Sequence, residues 1–205
     1  MGFYSRHIAP ALVDCTCGAS PVAHQRRKLI PRASGVVLEI GAGGGRNFAL
    51  YNRAKVTRLI ALEPDAAMIR RGRERTPVGL PVEWIERGAE AATLAPNSID
   101  TIVTTYTLCT IPDAIGALAA LRPALKPDGR LLFCEHGLAP DPDVVKWQRR
   151  IEPVWRPLVG GCHLTRDVDA MISAAGWRID DAERMYLPGA PRFAGYNVWG
   201  SARAA

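Results

Sequence analysis

The segment Val37-Leu38-Glu39-Ile40-Gly41-Ala42-Gly43-Gly44-Gly45 runs from an apolar stretch into a glycine-rich turn. Glycines there let the chain bend sharply and bring backbone N–H groups close to a ligand with no Cβ in the way. The chemistry on offer is the cradling of a nucleotide-like cofactor. A dinucleotide fingerprint would continue from Gly41-x-Gly43 to glycine or alanine at position 46, where Arg46 stands, which speaks against nicotinamide or flavin. A second apolar stretch, Leu59-Ile60-Ala61-Leu62, ends in Glu63-Pro64, with Glu63 22 residues beyond Gly41. Once the chain reverses and the second stretch lies beside the first, a Glu63 carboxylate can accept two hydrogen bonds from the vicinal hydroxyls of a ribose.

Other reactive side chains are scattered. The five cysteines stand at 15, 17, 109, 134 and 162, an odd and dispersed set that forms no disulfide framework. Cys15-x-Cys17 has the wrong spacing for structural zinc and no second close pair, so no metal is expected. Trp147, Ile151, Trp155 and Leu158 recur at near-helical spacing and read either as a stripe packed on the sheet or as the lining of a pocket. Pro153 and Pro157 should break a simple helix there. The net charge is +6, and the isoelectric point near 9.3 raises nucleic acid or an anionic membrane surface as partners. The basic runs Arg26-Arg27-Lys28 and Arg70-Arg71 fall where helices are expected and read as charged outer faces. With no aromatic-basic RNA signature, nucleic acid is not expected; contact with a membrane surface stays open but is not favoured.

These groups need a scaffold. From Val36 onward, short apolar runs alternate with helical patterns, the rhythm of an α/β protein whose parallel sheet carries helices on both faces. The expected strands are Val36–Ile40, Arg58–Glu63, Val82–Glu86, Ile99–Thr105 and Arg130–Glu135, with a terminal pair near Trp177–Tyr186 and Tyr196–Ser201. Helices are expected from near Gly45, from Asp65 to Arg75, and from Asp113 to Leu125, the last stopped by the turn Lys126-Pro127-Asp128-Gly129. The 205 residues suit a single domain. It divides into an N-terminal helical cap at 1–34, a cofactor core at 35–135, a substrate-covering insert at 136–165, and a C-terminal helix and strand pair at 166–205. No apolar run approaches the ~20 residues that cross a bilayer, and Met1 to Pro10 carries no secretory pattern, so a cytoplasmic protein is expected.

Glu39-x-Gly41-x-Gly43-x-Gly45 resembles motif I of the class I S-adenosylmethionine-dependent methyltransferases, and the resemblance spans about residues 35–135. It implies a doubly wound, seven-stranded Rossmann-like sheet with S-adenosylmethionine as cofactor. The amino-acid portion of that cofactor would lie over the glycine loop, with Glu39 helping to hold its ammonium group. Glu63 and Pro64 would meet the ribose. Met68 would lie against the adenine or serve as a core methionine. The family's aspartate near the adenine amino group is here Ala89, leaving its backbone N–H or the neighbouring Glu90 to replace it. Thr105, at the end of the fourth strand, would stand where the cofactor passes from ribose to sulfonium.

Methyl transfer is an in-line displacement, so donor sulfur, methyl carbon and acceptor must be held collinear with water excluded. The insert resembles bacterial relatives of small enzymes that methylate alkyl thiols, in Cys109, Glu135-His136, Trp147-Gln148, Pro153-x-x-Trp155 and Gly161-Cys162-x-Leu164-Thr165-Arg166. This implies a small-molecule thiol acceptor in a pocket formed with Cys109, Trp147 and Trp155. A thiol with a pKa near ~8.5 is already partly thiolate at neutral pH, and an imidazole could raise that fraction. His136 and His163 are the candidates for that role, or hydrogen-bonded structural histidines. The N-terminal stretch with Tyr4 and His7 resembles bacterial phospholipid N-methyltransferases instead. N-methylation of a lipid or amine, O-methylation of a small molecule, and a non-catalytic cofactor-binding partner therefore stand as alternatives.

Overall fold

The computed structural model describes residues 18–205, so Tyr4, His7, Cys15 and Cys17 lie outside the described residues. Helix α1 (Ser20–Leu29) leads through a tight turn into β1 (Gly35–Ile40). There follow β2 (Val56–Leu62), α2 (Ala66–Glu74), β3 (Val82–Ile85), β4 (Ile99–Thr105), α3 (Ala114–Leu121) and β5 (Leu125–His136). The chain ends with α4 (Pro142–Leu158), α5 (Val168–Ala174), β6 (Trp177–Tyr186), the short α6 (Arg192–Gly195) and β7 (Tyr196–Ala204).

All seven strands form one sheet in the order β3-β2-β1-β4-β5-β7-β6. β1 pairs in parallel with β2 on one side and β4 on the other, whereas β7 runs antiparallel between β5 and β6. The chain winds outward from β1 to β2 and β3, then crosses back to β4. The carboxyl ends of β1 and β4 therefore border the switch point where open α/β sheets form a ligand crevice. Alternating residues of the central strands enter two cores. Leu38, Ile40, Ile102, Leu131 and Phe133 join one, and Val37, Val103, Leu132 and Cys134 join the other. Such near-continuous apolar strands are what burial on both faces requires.

Three local expectations are corrected. The helix expected from Gly45 is only a single 3-10 turn, Phe48–Leu50. Gly41, Gly43 and Gly45 all adopt positive φ, and the side chains of Asn47 and Tyr51 are turned inward to Glu39, leaving too few residues to propagate a helix. Helix α3 stops at Leu121 rather than Leu125 because Pro123 has no N–H for the carbonyl of Ala119, which takes that of Arg122 instead. Helix α4 runs without interruption through Pro153 and Pro157. These prolines stand four residues apart, so both missing donors fall on one helix face. Lys126 to Gly129 leave the ladder where expected: Ile99 pairs with Leu125, and regular pairing resumes only at Thr101 with Arg130. Among the described residues, no helix is long and apolar enough to cross a membrane.

Candidate active site

The cleft opens at the switch point and encloses about 780 Å³. Its floor is the glycine loop, whose members have different roles. A Cβ on Gly41 (φ +62°) would fall 2.3 Å from Thr107 Cγ2, and one on Gly45 (φ +71°) 3.1 Å from Gly72 Cα. Both close approaches serve the protein's own packing. A Cβ on Gly43 (φ +54°) would meet nothing nearer than Met68 Cε at 3.8 Å, and Gly43 lines the cleft, so its bare face is turned toward a ligand. Gly45 is not among the lining residues.

Glu63 follows the end of β2 and lines the same cleft. Its Oε2 accepts the Gly43 N–H at 2.8 Å and its Oε1 the Asp65 N–H at 2.9 Å. One carboxylate thus ties the loop to the start of α2, where Asp65 caps the N–H groups of Ala67 and Met68. Burial raises the Glu63 pKa above its ordinary value, against the pull of those two backbone donors. Pro64, Met68, Ala89 and Glu90 line the wall beyond it.

Glu39 does not reach the cleft. It is fully buried, with one oxygen taken by Asn47 Nδ2 at 2.9 Å and the other by the Tyr51 hydroxyl at 2.7 Å. Burial pushes its pKa up to about 7, opposed by the Tyr51 bond and by the charge of Arg26. Glu39 thus supports the loop from behind and makes no direct contact with the cleft; the expected hold on a ligand ammonium would have to pass through water.

Arg26 is the residue that sequence reasoning missed. Read as part of a solvated run, it is instead 7% exposed and lines the cleft. It donates to Asn47 Oδ1 at 2.8 Å and to Thr105 Oγ1 at 2.6 Å, and lies over the Tyr106 ring at 5.1 Å. Its Nε has no partner among the described residues. The signal was the apolar Leu29-Ile30, since Gln25, Arg26 and Leu29 share the buried face of α1.

Past Thr105 the cleft bends toward the insert. Tyr106 occupies a left-handed conformation (φ +54°), costly for a bulky residue. Its N–H bonds Cys134 O at 2.9 Å and its hydroxyl bonds Asn197 Oδ1 at 2.6 Å. The buried Glu135 gathers the following loop, accepting from the Thr104 hydroxyl and from the N–H groups of Thr107 and Leu108. Burial also pushes its pKa up to about 7. Arg166 fastens the same loop through the carbonyls of Leu108 and Ile111. From α4, the buried Gln148 accepts from Ala139 N and donates to Gly137 O and Phe193 O, keying the insert to the end of β5.

The expected aromatic pocket is a wall of other residues: Pro153, Arg156, Pro157, Gly160 and Gly161 from the insert, facing Thr110, Ile111 and Pro112. Trp147 is 57% exposed and lies outside the cleft lining, a correction explained by its place on the outer side of α4. Trp155 is outside the lining too; it packs edge-on against Phe193 and donates Nε1–H to Cys162 Sγ at 3.3 Å. His163 does not face the cleft. It pairs with Glu152 at 3.1 Å, whose other oxygen holds the N–H groups of Leu164 and Thr165. His136 Nε2 lies 3.1 Å from Cys162 Sγ. Burial works against the imidazolium, but the sulfur and the nearby carboxylates outweigh it and raise the His136 pKa. Cys109 joins this pair, the three ligand-type atoms lying within 4.8 Å of one another.

A loop with one face bare, a carboxylate beside it and a guanidinium lining the same cleft suit an amino acid joined to a nucleoside, as in S-adenosylmethionine. Residues 19–181 match the family model described as a methyltransferase domain. The chain belongs to that family. Its residues 19–181 form a methyltransferase domain. Human thiol S-methyltransferase TMT1B is 30% identical over 178 residues, covering 81% of this chain and 72% of the human protein. The rat protein of the same name is 31% identical over 134 residues, covering 64% of this chain and 55% of its own length. The chain thus spans little more than half of that relative. Among solved structures, a SAM-dependent methyltransferase from Leishmania major superposes with a TM-score of 0.71 at 20% identity, over 98% of this chain and 80% of that one. One from Mesorhizobium loti gives 0.66 at 19% identity, over 93% and 99%. At those identities the likeness is one of fold.

Proposed function

We propose that this methyltransferase transfers the methyl group to the sulfur of a small thiol, with residues 35–135 as the cofactor core and 136–165 as the cover over the acceptor. The observation that carries the reading is the acceptor end of the cleft, where Thr110, Ile111, Pro112, Pro153, Arg156 and Pro157 form the walls and, among the described residues, no imidazole or carboxylate joins them. A hydroxyl acceptor would need a base there, whereas a thiol with a pKa near ~8.5 does not. The similarity to thiol S-methyltransferases over most of the chain supports the same choice.

When bound, S-adenosylmethionine supplies an electrophilic methyl group on a sulfonium sulfur. The chain's own residues bind and orient. In this reading Glu63 accepts from the ribose hydroxyls, and Gly43 admits the ligand close to the backbone. Met68, Ala89 and Glu90 border the adenine, and the Arg26 guanidinium lends its positive charge to the end of the cleft where the ligand's carboxylate would lie. The proline wall excludes water, and attack of a thiolate on a sulfonium, which neutralises charge, is favoured where water is absent.

The test is to incubate the purified chain with labelled cofactor and alkyl thiols in vesicle-free buffer, alongside amines, phenols and phospholipid vesicles, and identify the methylated product by mass spectrometry. A methyl thioether formed without vesicles is expected. Label appearing only in amine, phenol or lipid would overturn the thiol assignment.

A further inference from the structure

Cys109, His136 and Cys162 come from three separate parts of the chain: the loop after β4, the end of β5 and the loop after α4. We infer that these three side chains form a binding site for a thiophilic divalent metal of the zinc type, with a fourth position left open for the acceptor thiol. Its metal-binding part stands on geometry alone, and its open position rests on the thiol reading above.

The donor set is the first support. Two cysteines and a histidine are characteristic zinc ligands, and three protein ligands with one vacancy is the arrangement of a catalytic rather than a structural zinc. Zinc–sulfur and zinc–nitrogen bonds of ~2.3 and ~2.0 Å in a tetrahedron place ligand atoms roughly 3.5–4 Å apart. The three atoms here lie within 4.8 Å of one another, and the His136 to Cys162 separation of 3.1 Å would widen by only a few tenths of an ångström. Among the described residues no fourth histidine, cysteine or carboxylate joins the group.

The surroundings hold those atoms in place. Cys109 and Cys162 are 3% and 5% exposed. The Cys109 carbonyl accepts the His163 N–H at 3.0 Å, clasping the two cysteine loops together. The His136 ring stacks on Tyr106 with an interplanar angle of 15°. Trp155 directs its indole N–H at Cys162 Sγ, the outer contact that an anionic, metal-bound sulfur keeps. Thr110 and Gly161, next in sequence to Cys109 and Cys162, line the cleft. The three ligand residues themselves stand behind that lining, and the vacancy turned toward the acceptor end is part of the inferred site.

The chemistry closes. An arriving thiol binds the metal through sulfur and releases its proton to solvent. The thiolate lone pair then forms the bond to the methyl carbon as the methyl–sulfonium bond breaks, its electron pair staying on the cofactor sulfur. The product thioether, neutral and a weaker ligand than a thiolate, dissociates from the metal.

The experiment loads the full chain with zinc, removes excess, and counts metal by mass spectrometry, then repeats the loading with cobalt(II) to read thiolate-to-metal charge transfer. One zinc per chain and a tetrahedral, thiolate-rich cobalt spectrum are expected, with a further rise in charge transfer on adding ethanethiol. Cys162→Ser and His136→Ala should lose most of the metal, with folding checked by S-adenosylmethionine affinity, which involves neither residue. Trp155→Phe, which keeps the packing on Phe193, should weaken zinc about tenfold. Substoichiometric zinc, or full zinc retained in Cys162→Ser, would overturn the site. Full zinc with no response to ethanethiol, or equal thiol turnover in metal-stripped enzyme, would overturn the open position. A zinc-loaded protein that methylates amines or lipids and no thiol upholds the metal site while sinking the thiol reading.

Discussion

Replacing Gly43 with alanine separates the fold from the ligand at one atom. The new Cβ would lie 3.8 Å from Met68 Cε and 3.9 Å from Gly41 O, ordinary contacts that require nothing in the protein to move. What the fold loses is the ease of φ +54°, roughly 1–2 kcal/mol for a residue with a side chain, partly offset by about 0.4–1 kcal/mol from a stiffer unfolded chain. A net loss near ~1 kcal/mol lowers Tm by about 2–4 °C in a domain of this size. The ligand loses more. A methyl group on the floor of the cleft lifts it off the loop and forfeits at least one hydrogen bond to a charged group, about 1.5–3 kcal/mol, so Kd should rise roughly 10- to 100-fold. Gly45→Ala behaves differently, because its Cβ meets backbone at 3.1 Å and stability should fall well before binding can be judged. Calorimetric titration with S-adenosylmethionine and thermal unfolding, run on both variants, separate the two. A Gly43→Ala protein that binds the cofactor within about twofold of the parent would refute the view that this glycine faces the ligand.

Other substitutions test the rest of the site. In Glu63→Gln one oxygen becomes an NH2 that cannot accept, leaving either the Gly43 or the Asp65 N–H without its acceptor, so cofactor affinity should drop by about 2 kcal/mol with circular dichroism unchanged; equal affinity in titration would remove Glu63 from the site. Gln148→Ala leaves the partners of three hydrogen bonds unpaired, which should cost about 2–3 kcal/mol and slow acceptor turnover while cofactor affinity holds, whereas Trp147→Ala should change neither, as steady-state kinetics would show. Stability should fall as pH rises from about 5 to about 7. Glu39 and Glu135 keep their protons in the folded state up to about 7 but lose them near 4.5 once unfolded; the Cys162 thiol, lowered to about 4 by its bonds to Cys109 and His136, opposes them, one group against two. Guanidinium unfolding across that window checks this, with Glu39→Gln flattening the slope; stability that climbs through the window would contradict it.

The parts of the fold that the sequence announces are those set by neighbours in the chain. The run Val36–Ile40 and its partner at 59–62 are mostly apolar because both faces are covered, and Asp65 marks a helix start by capping it two and three residues on. Gly43 and Glu63 were legible because a bare backbone and an acid at a strand end leave little other use. Arg26 was not, since its partners lie 21 and 79 residues away, and a basic run looks the same whether one member turns inward or none does. Glu39 was read as a ligand because its spacing to the glycines is right, but spacing does not reveal that Asn47 and Tyr51 reach it first. Cys109, His136 and Cys162 meet only through the sheet's crossover and the fold-back of the insert, so their separations carried no signal.

The buried guanidinium also bears on how the molecule comes into being. Arg26 leaves the ribosome early, but Thr105, to which it is bonded, follows only 79 residues later. Until β4 has been made and has slotted in beside β1, Arg26 has Asn47 but lacks Thr105, and the cleft lacks the wall that β4 supplies. Closing so long a loop is entropically slow. Cofactor binding is therefore a property of the finished chain, and S-adenosylmethionine should not hold a nascent fragment that ends before β4.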